Sequence, residues 1–526
     1  MYDILLKNGT IIDGTGEKPY QADVAIEDGK IAAIAPGISE GLARETVDVS
    51  GLCVTPGFID IHSHSDLSFI EDERGEAKLY QGVTSELSGQ CGSSPFPCPP
   101  GQEGRIASYG DTSKGNFAAC SLEAFLAGVQ ARGNKMGTNL MPLVGHGVLR
   151  CGVLGFENRK PTDAEMKQMR ELLAADMATG AWGMSLGLGY TPGLSADTHE
   201  LCLLGEEVAP HDGIITSHMR NQGTGTPQSL EEMFAINRHS GAHVHIAHFK
   251  ASGRASHGRA PEFVQIVRDG KASGVNVTVD LYPYTASSSG ITNSFPKWSI
   301  EGGKQRAVEI LNGPERQKLM SELEKSFDTP EQGKALVVVS THGKLPEVDG
   351  KNLYEISQMW GVSQAEAAAR VAVETNTDCS CISFGMAEED VLYMLSQNDF
   401  SIGSDGSAIP LDPALNEGKP HPRNFGTFPR FLRIAREQKL CPPEVAIRRI
   451  TGLSADSIGV RDRGYLRPGM VADITVLNMD TVTDKATYED PFQKPEGIIH
   501  VLMDGQFALR NGAQTEKRMG KILLKK

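Results

Sequence analysis

The stretch Pro56-Gly57-Phe58-Ile59-Asp60-Ile61-His62-Ser63-His64-Ser65-Asp66 decides the fold. An apolar run opening after Pro-Gly ends in two histidines one residue apart. On an extended strand alternate side chains share a face. His62 and His64 are therefore expected to point the same way, into a common centre, with their imidazoles gripping one metal ion.

Downstream the pattern repeats. Apolar runs at Gly57–Ile61, Val83–Leu87, Leu140–Val144, Gly183–Leu188, Gly213–Ser217, Val244–Ala247, Val275–Leu281 and Phe400–Gly403 alternate with stretches of helical spacing such as Asp163–Met177 and Ser229–Arg238. This predicts an α/β protein, a (β/α)8 TIM-like barrel over residues 57–464. An open doubly wound sheet is disfavoured because candidate ligands end many separate runs, where barrel sites form. Residues 3–56 read as short strands with turns at Asn8-Gly9 and Asp28-Gly29. Strand patterning returns after Gly464, at Ala472–Leu477 and Ile498–Met503. The two ends, 1–56 and 465–526, are expected to form one small β-sandwich domain. Residues 286–336 are too long for an ordinary strand-to-helix loop and carry helical pieces at Lys304–Leu311 and Pro314–Phe327, so a lid over the barrel mouth is expected there. The basic tail Lys517–Lys526 is expected to fray.

The chain has 526 residues, more than one hydrophobic core usually serves. A net charge of −15 argues against nucleic acid or an anionic membrane as partner and leaves room for a small-molecule substrate. The sequence carries no basic leader with an apolar core and no membrane-spanning apolar stretch. Its nine scattered cysteines are not a disulfide framework, so a cytoplasmic setting is expected. Oligomeric state is left open.

Further candidates join the His62/His64 pair. His218 ends the run Ile214–Ser217 and His248 ends Val244–Ala247. Either alone reads as a hydrogen-bonded core histidine; four imidazoles at one rim read as a metal site. His245, three residues before His248, is expected to face away and, with His243, to be structural. Asp405, in Ile402-Gly403-Ser404-Asp405-Gly406, reads as a metal ligand and proton acceptor on the last strand, against the plainer reading of an Asp-Gly turn. Cys91, in Gly89-Gln90-Cys91-Gly92, would bind as a thiolate, while the other eight cysteines read as structural thiols.

Pro56 to His64, the single histidines after two mid-chain runs and Ser404-Asp405-Gly406 resemble the amidohydrolase superfamily. Gly89-Gln90-Cys91-Gly92, Gly145-His146-Gly147-Val148-Leu149-Arg150, Ser217-His218-Met219-Arg220-Asn221 and His421-Pro422-Arg423 resemble its D-aminoacylase (N-acyl-D-amino-acid deacylase) branch over nearly the whole chain. The resemblance implies a zinc-dependent enzyme that hydrolyses the amide bond of N-acyl-D-amino acids. Cys91, His218 and His248 would hold a tightly bound zinc ion. His62 and His64 would supply a second, weaker position, with Cys91 and Asp405 near both. Asp405 would accept a proton from the attacking water and return it to the leaving amine. Lys250 and Arg423, with Tyr282 and Ser288, would surround the substrate α-carboxylate, and Tyr190 would donate to the carbonyl oxygen. His146 is given no chemical role.

Many amidohydrolases bridge two metals with a carboxylated lysine on the fourth strand. The run Ala181–Leu188 has no lysine, which counts against the alternative of a cyclic-amide hydrolase of the hydantoinase or dihydroorotase type. A third reading, a barrel without metal serving as an interaction scaffold, would show broken ligand positions. His62, His64, Cys91, His218, His248 and Asp405 are all intact.

Overall fold

Parallel strands run through the middle of the chain: Phe58–Asp60, Val83–Ser88, Asn139–Pro142 continued by Val144–Gly145, Gly183–Gly187, Ile214–His218, His243–Ile246, Val277–Leu281 and Ser401–Ile402. They are called first to eighth below. The structure is a computed structural model that describes residues 1–104 and 119–526. The first strand pairs with the second and the second with the third. The third pairs with the fourth through Val144–Gly145, and each later strand pairs with the next. Past the eighth strand, Asp405 N–H donates to His62 O at 2.8 Å and His64 N–H to Gly406 O at 2.9 Å. The last strand thus meets the loop that follows the first.

These strands read as near-continuous apolar runs because both faces are covered; every residue of Val83–Ser88 and of Gly183–Gly187 is buried. The helix Asp163–Thr179 shows how the intervening segments are set. Thr162 and Glu165 close a capping box at its start, and left-handed Gly180 ends it. Its buried Met169, Leu173 and Met177, spaced one helical turn apart, join Met184 and Leu186 of the next strand in the main core.

The two ends of the chain share one nine-stranded sheet. Cys53–Pro56 pairs antiparallel with Ile474–Leu477, and Thr55 Oγ1 donates to Thr475 O at 3.0 Å across 420 residues of sequence. Leu6, Val24, Val54, Ile474, Val476 and Leu502 form its apolar core.

Two expectations need correction. The segment that departs at Ala286 does not return at Leu336. Ala286–Gly290, Leu336–Ser340, Lys351–Asn352 and Ser380–Phe384 form an antiparallel sheet with its own core, including Ile310, Leu319, Ile356 and Val371. The apolar run at Leu336 is a strand of this unit, so the insertion continues to Phe384. The tail, expected to fray, is docked. Leu140 N–H donates to Lys521 O at 3.0 Å, Leu523 N–H to Leu140 O at 2.8 Å, and Trp182 Nε1 to Leu523 O at 2.6 Å. Its lysines dominate a reading by charge, but Ile522, Leu523 and Leu524 between them supply the packing. Among the described residues no helix is long and apolar enough to cross a membrane. None of the nine cysteines is in a disulfide.

Candidate functional site

His62 and His64 lie just past the first strand, not on it. Asp60 ends the strand: its Oδ1 accepts from His62 N–H at 3.2 Å and from Ser404 N–H at 2.9 Å. Both rings nevertheless reach one point. Asp405 Oδ1 lies 3.4 Å from His62 Nε2 and 3.1 Å from His64 Nε2. Cys91 follows the second strand, and its Sγ lies 3.5 Å from His62 Nε2, 3.4 Å from His248 Nε2 and 3.9 Å from His218 Nδ1. His218 ends the fifth strand and His248 sits two residues past the sixth; His218 Nδ1 and His248 Nε2 are 3.0 Å apart. His62, Cys91, His248 and Asp405 are buried and offer ligand atoms all within 4.8 Å of one another. A thiolate, imidazoles and a carboxylate converging in this way are a donor set that fits zinc.

The backbone is held for this purpose. Cys91 (φ 54°), His248 (φ 37°) and Asp405 (φ 52°) all occupy the left-handed region. For residues with a side chain this costs about 1–3 kcal/mol each and persists only where the surroundings enforce it. One enforcing contact is visible at Gly187 on the fourth strand, where a Cβ would fall 2.1 Å from the Cys91 carbonyl oxygen.

The charges divide the donors into two groups. Burial pushes the Cys91 thiol up, but His248 and His62 outweigh it and hold the group well below its ordinary value. Burial lowers His218, and burial with Lys250 nearby brings His248 down to about 4, both against Cys91 and Asp405, which act to raise them. A thiolate and neutral imidazoles are the states a metal requires. Burial also acts to lower His64, but Asp405 and Cys91 raise it to about 9. His62 is raised by Asp280 and Cys91 against the same opposition.

Beside this cluster stand cations and phenols. Arg423 Nη1 donates to Asp405 Oδ2 at 2.7 Å. Burial raises the Asp405 carboxyl, but Arg423, His248 and His64 more than offset it and keep it well below the carboxylate range. Lys250 is buried with its Nζ 5.0 Å from the centre of the Tyr282 ring, and the Arg423 guanidinium lies 5.3 Å from the same ring. Burial, with Arg423 adding to it, brings Lys250 down to about 8. Tyr282 Oη is buried and makes no hydrogen bond of good geometry. Tyr190 lies over the His218 ring at 4.3 Å between centroids. Ser288 stands on the strand Ala286–Gly290 opposite Ile382. Two residues earlier, the Ala286 carbonyl accepts from His421 Nε2 at 3.0 Å, and His421 Nδ1 in turn accepts from Arg423 N–H at 3.0 Å.

Three neighbours escaped the sequence reading. Asp280, near the end of the seventh strand, accepts from His248 N–H at 2.8 Å and lies 2.8 Å from His245 Nε2 and 3.4 Å from His62 Nδ1. His245 therefore does not face away; it is one contact removed from His62. Asp280 is a carboxylate inside an apolar run, and that was the available signal. The Gln222 side-chain amide lies 3.2 Å from His248 Nδ1, and Lys297 reaches the loop after the fourth strand; nothing in their local sequence marks either. His146 is buried against Glu200 at 2.8 Å, away from the cluster's contacts.

The amidohydrolase family model matches residues 45–288 and 403–508. N-acyl-D-glutamate deacylase of Alcaligenes xylosoxydans xylosoxydans is 33% identical over 524 residues, covering 99% of this chain and 96% of that protein. D-aminoacylase of the same organism is 33% identical over 527 residues, covering 99% and 97%. The crystal structure of N-acyl-D-glutamate deacylase from Bordetella bronchiseptica, complexed with zinc and a phosphonate inhibitor that mimics the tetrahedral intermediate, superposes with a TM-score of 0.83 at 32% identity over 100% of both chains. The chain thus belongs to the amidohydrolase family, in its D-aminoacylase (N-acyl-D-amino-acid deacylase) branch.

Proposed function

We propose that the protein hydrolyses N-acyl-D-amino acids to a carboxylate and a free D-amino acid, with zinc as its cofactor. The observation that carries this reading is the position of Arg423 and Lys250, two cations around the Tyr282 ring, beside a buried Cys91–His62–His248–Asp405 donor cluster. The first group suits a substrate α-carboxylate and the second suits the metal.

Cys91, His218 and His248 hold the tight zinc position in this reading, supported by their mutual distances. His62 and His64 serve a weaker position with Asp405 and Cys91, supported by the approach of both rings to Asp405 and of His62 to Cys91. Bound zinc supplies activated water and stabilises charge developing on the carbonyl oxygen. Asp405, kept ionised by Arg423, accepts a proton and returns it to the leaving nitrogen. Tyr190 donates to the carbonyl oxygen. Ser288, whose hydroxyl makes no hydrogen bond among the described residues, joins Lys250, Tyr282 and Arg423 around the carboxylate.

The eight strands are read as one closed (β/α)8 barrel over residues 57–464, supported by the bonds between the 62–64 and 405–406 loops. The insertion from residue 286 is read as its lid, and residues 1–56 with 465–526 as a separate small β domain. Cysteines outside any disulfide agree with a cytoplasmic setting.

The test is a panel of N-acetyl-D- and N-acetyl-L-amino acids with zinc-loaded protein, read by release of free amine. Turnover confined to the D series is expected. Turnover of cyclic amides alone, or of none of the panel, overturns the proposal.

A further inference from the structure

Lys78 lies on the short helix Glu76–Leu79, between the first strand and the second, and is fully buried. A lysine ammonium has three donors, and here all three are used: on Asp60 Oδ2 at 2.7 Å, on Ser404 Oγ at 2.8 Å and on the Gly406 carbonyl at 3.2 Å. Glu86 Oε2, on the second strand, lies 3.4 Å away. Asp60, Glu86 and Ser404 are as fully buried as the lysine. Burial acts to discharge the ammonium, but Asp60 and Glu86 more than offset it and hold the group above its ordinary value.

The cluster is bonded to the seam where the last strand meets the loop after the first. The Ser404 hydroxyl donates to Asp60 Oδ2 and accepts from Lys78 and from Gly406 N–H at 3.0 Å. Asp60 Oδ1 accepts from Ser404 N–H at 2.9 Å and from His62 N–H at 3.2 Å. Glu86 accepts from the Ser65 hydroxyl at 2.6 Å, and that hydroxyl accepts from Ala408 N–H at 2.8 Å. Lys78 thus bonds to the residues on both sides of Asp405, whose own backbone is in the left-handed region at φ 52°. Arg423 meets the Asp405 side chain; Lys78 holds the turn from which that side chain departs.

A buried ion cluster gains little over apolar packing in stability alone, and the bonds of this one converge on a single turn. We propose that Lys78 is a positioning residue: it fixes the Ser404–Gly406 turn so that the Asp405 carboxylate stands where it accepts a proton and returns it to the leaving nitrogen. This rests on the deacylase reading above.

Lys78→Met alone leaves Asp60 and Glu86 without their counter-charge, which threatens the fold. It is therefore made together with Glu86→Gln, which returns the cluster to its native net charge and leaves only the bonds to the turn missing. The double variant is compared with Glu86→Gln, and Ser404→Ala, which changes no charge, with the wild type. The readouts are melting temperature, tight zinc retained after dialysis, affinity for a second zinc equivalent, and kcat and KM on an N-acetyl-D-amino acid. The double variant should melt close to Glu86→Gln, keep the tight zinc and bind the second zinc more weakly, because Asp405 serves that position. Its kcat should fall roughly 100-fold with KM little changed, the scale expected for a catalytic group misplaced by ~1 Å. Ser404→Ala should lower kcat in the same direction with tight zinc retained.

A double variant with the kcat of Glu86→Gln makes Lys78 a counter-ion only and overturns the proposal. Loss of kcat in step with tight zinc overturns it as well, since that is what a general prop for the metal site would give. Unchanged kcat in Ser404→Ala overturns it even if the double variant does not fold. If the wild type turns over no N-acetyl-D-amino acid, the deacylase reading falls and the placement of Asp405 is judged by zinc alone: second-zinc affinity unchanged in the double variant and in Ser404→Ala then sinks the proposal too.

Discussion

Arg423 holds Asp405 by one oxygen, Nη1 to Oδ2 at 2.7 Å, and leaves the other, Oδ1, facing His64 and His62 at 3.1 and 3.4 Å. One guanidinium thus touches the proposed proton acceptor and lies over the ring of Tyr282 in the proposed carboxylate pocket.

Replacing Arg423 should therefore do two kinds of damage. Arg423→Ala removes a charge-assisted bond from Asp405 and a cation from the pocket, and kcat/KM for an N-acetyl-D-amino acid should fall by roughly tenfold to several hundredfold. The corresponding substrate amide, which has no carboxylate, should fall as well, because Asp405 is also affected. Arg423→Lys restores a single-point charge without the planar fork, so it should recover the amide substrate more fully than the carboxylate substrate. Steady-state kinetics on the pair decide it; near-native kcat/KM in Arg423→Ala removes Arg423 from both roles.

Cys91 is the donor shared by His62, His218 and His248. Cys91→Ala should bind little zinc after dialysis, whereas the wild type should retain it, as read by elemental analysis. His64→Ala, which removes a ring that reaches Asp405, should keep the tight zinc. Full zinc in Cys91→Ala would falsify the assignment of the tight position.

Asp280 connects the seventh strand to His62, to His245 and to the His248 backbone. Partners in this outer layer orient the ligands, and their loss typically lowers metal affinity about 10- to 100-fold. Asp280→Asn keeps the size but gives up the charge and one acceptor. Chelator competition should show weaker zinc binding by that factor; unchanged affinity would make Asp280 a purely structural carboxylate.

Asp176 gives a stability test far from the chemistry. It is buried, its Oδ1 accepts from Leu122 N–H at 2.7 Å and its Oδ2 has no partner. Burial pushes its carboxyl up to about 6, against the Leu122 bond. The folded state therefore holds this proton more tightly than the unfolded chain, whose carboxyl titrates near 3.9. The ionised group is a penalty fully present above pH 6 and relieved as the pH falls toward 4. Asp176→Asn should remove that dependence. Its stability relative to wild type should be greatest at pH 7 and shrink by at most ~2–3 kcal/mol down to pH 4. Denaturant unfolding at both pH values measures it, and a difference independent of pH refutes the ionisation argument.

Much of the site was legible because barrel-type chemistry writes itself at strand ends. His218 and His248 close apolar runs, and Asp405 precedes a glycine just past the last strand. Local spacing carried less than it promised at His62 and His64, because Asp60 captures the His62 amide and ends the strand before them. The contributions of Asp280, Gln222 and Lys297 depend on elements far apart in sequence: Lys297 meets Gly189 across 108 positions. Periodicity within a segment contains no information about such meetings. The insertion past Leu336 was illegible for a related reason, since Ala286–Gly290 and Leu336–Ser340 are held together by Ser380–Phe384, a strand far along the chain from both.

The sheet that joins the two chain ends also sets a clock on synthesis. Thr55 waits for Thr475, 420 residues later, and at ribosomal rates of roughly 5–20 residues per second that interval is about 20–80 s. Throughout it the Cys53–Pro56 strand exposes an edge that only Ile474–Leu477 will cover, and an uncovered edge invites pairing with other chains. Yield of soluble protein should therefore depend on how quickly the distal strands emerge, and on any chaperone that shields this edge until they do.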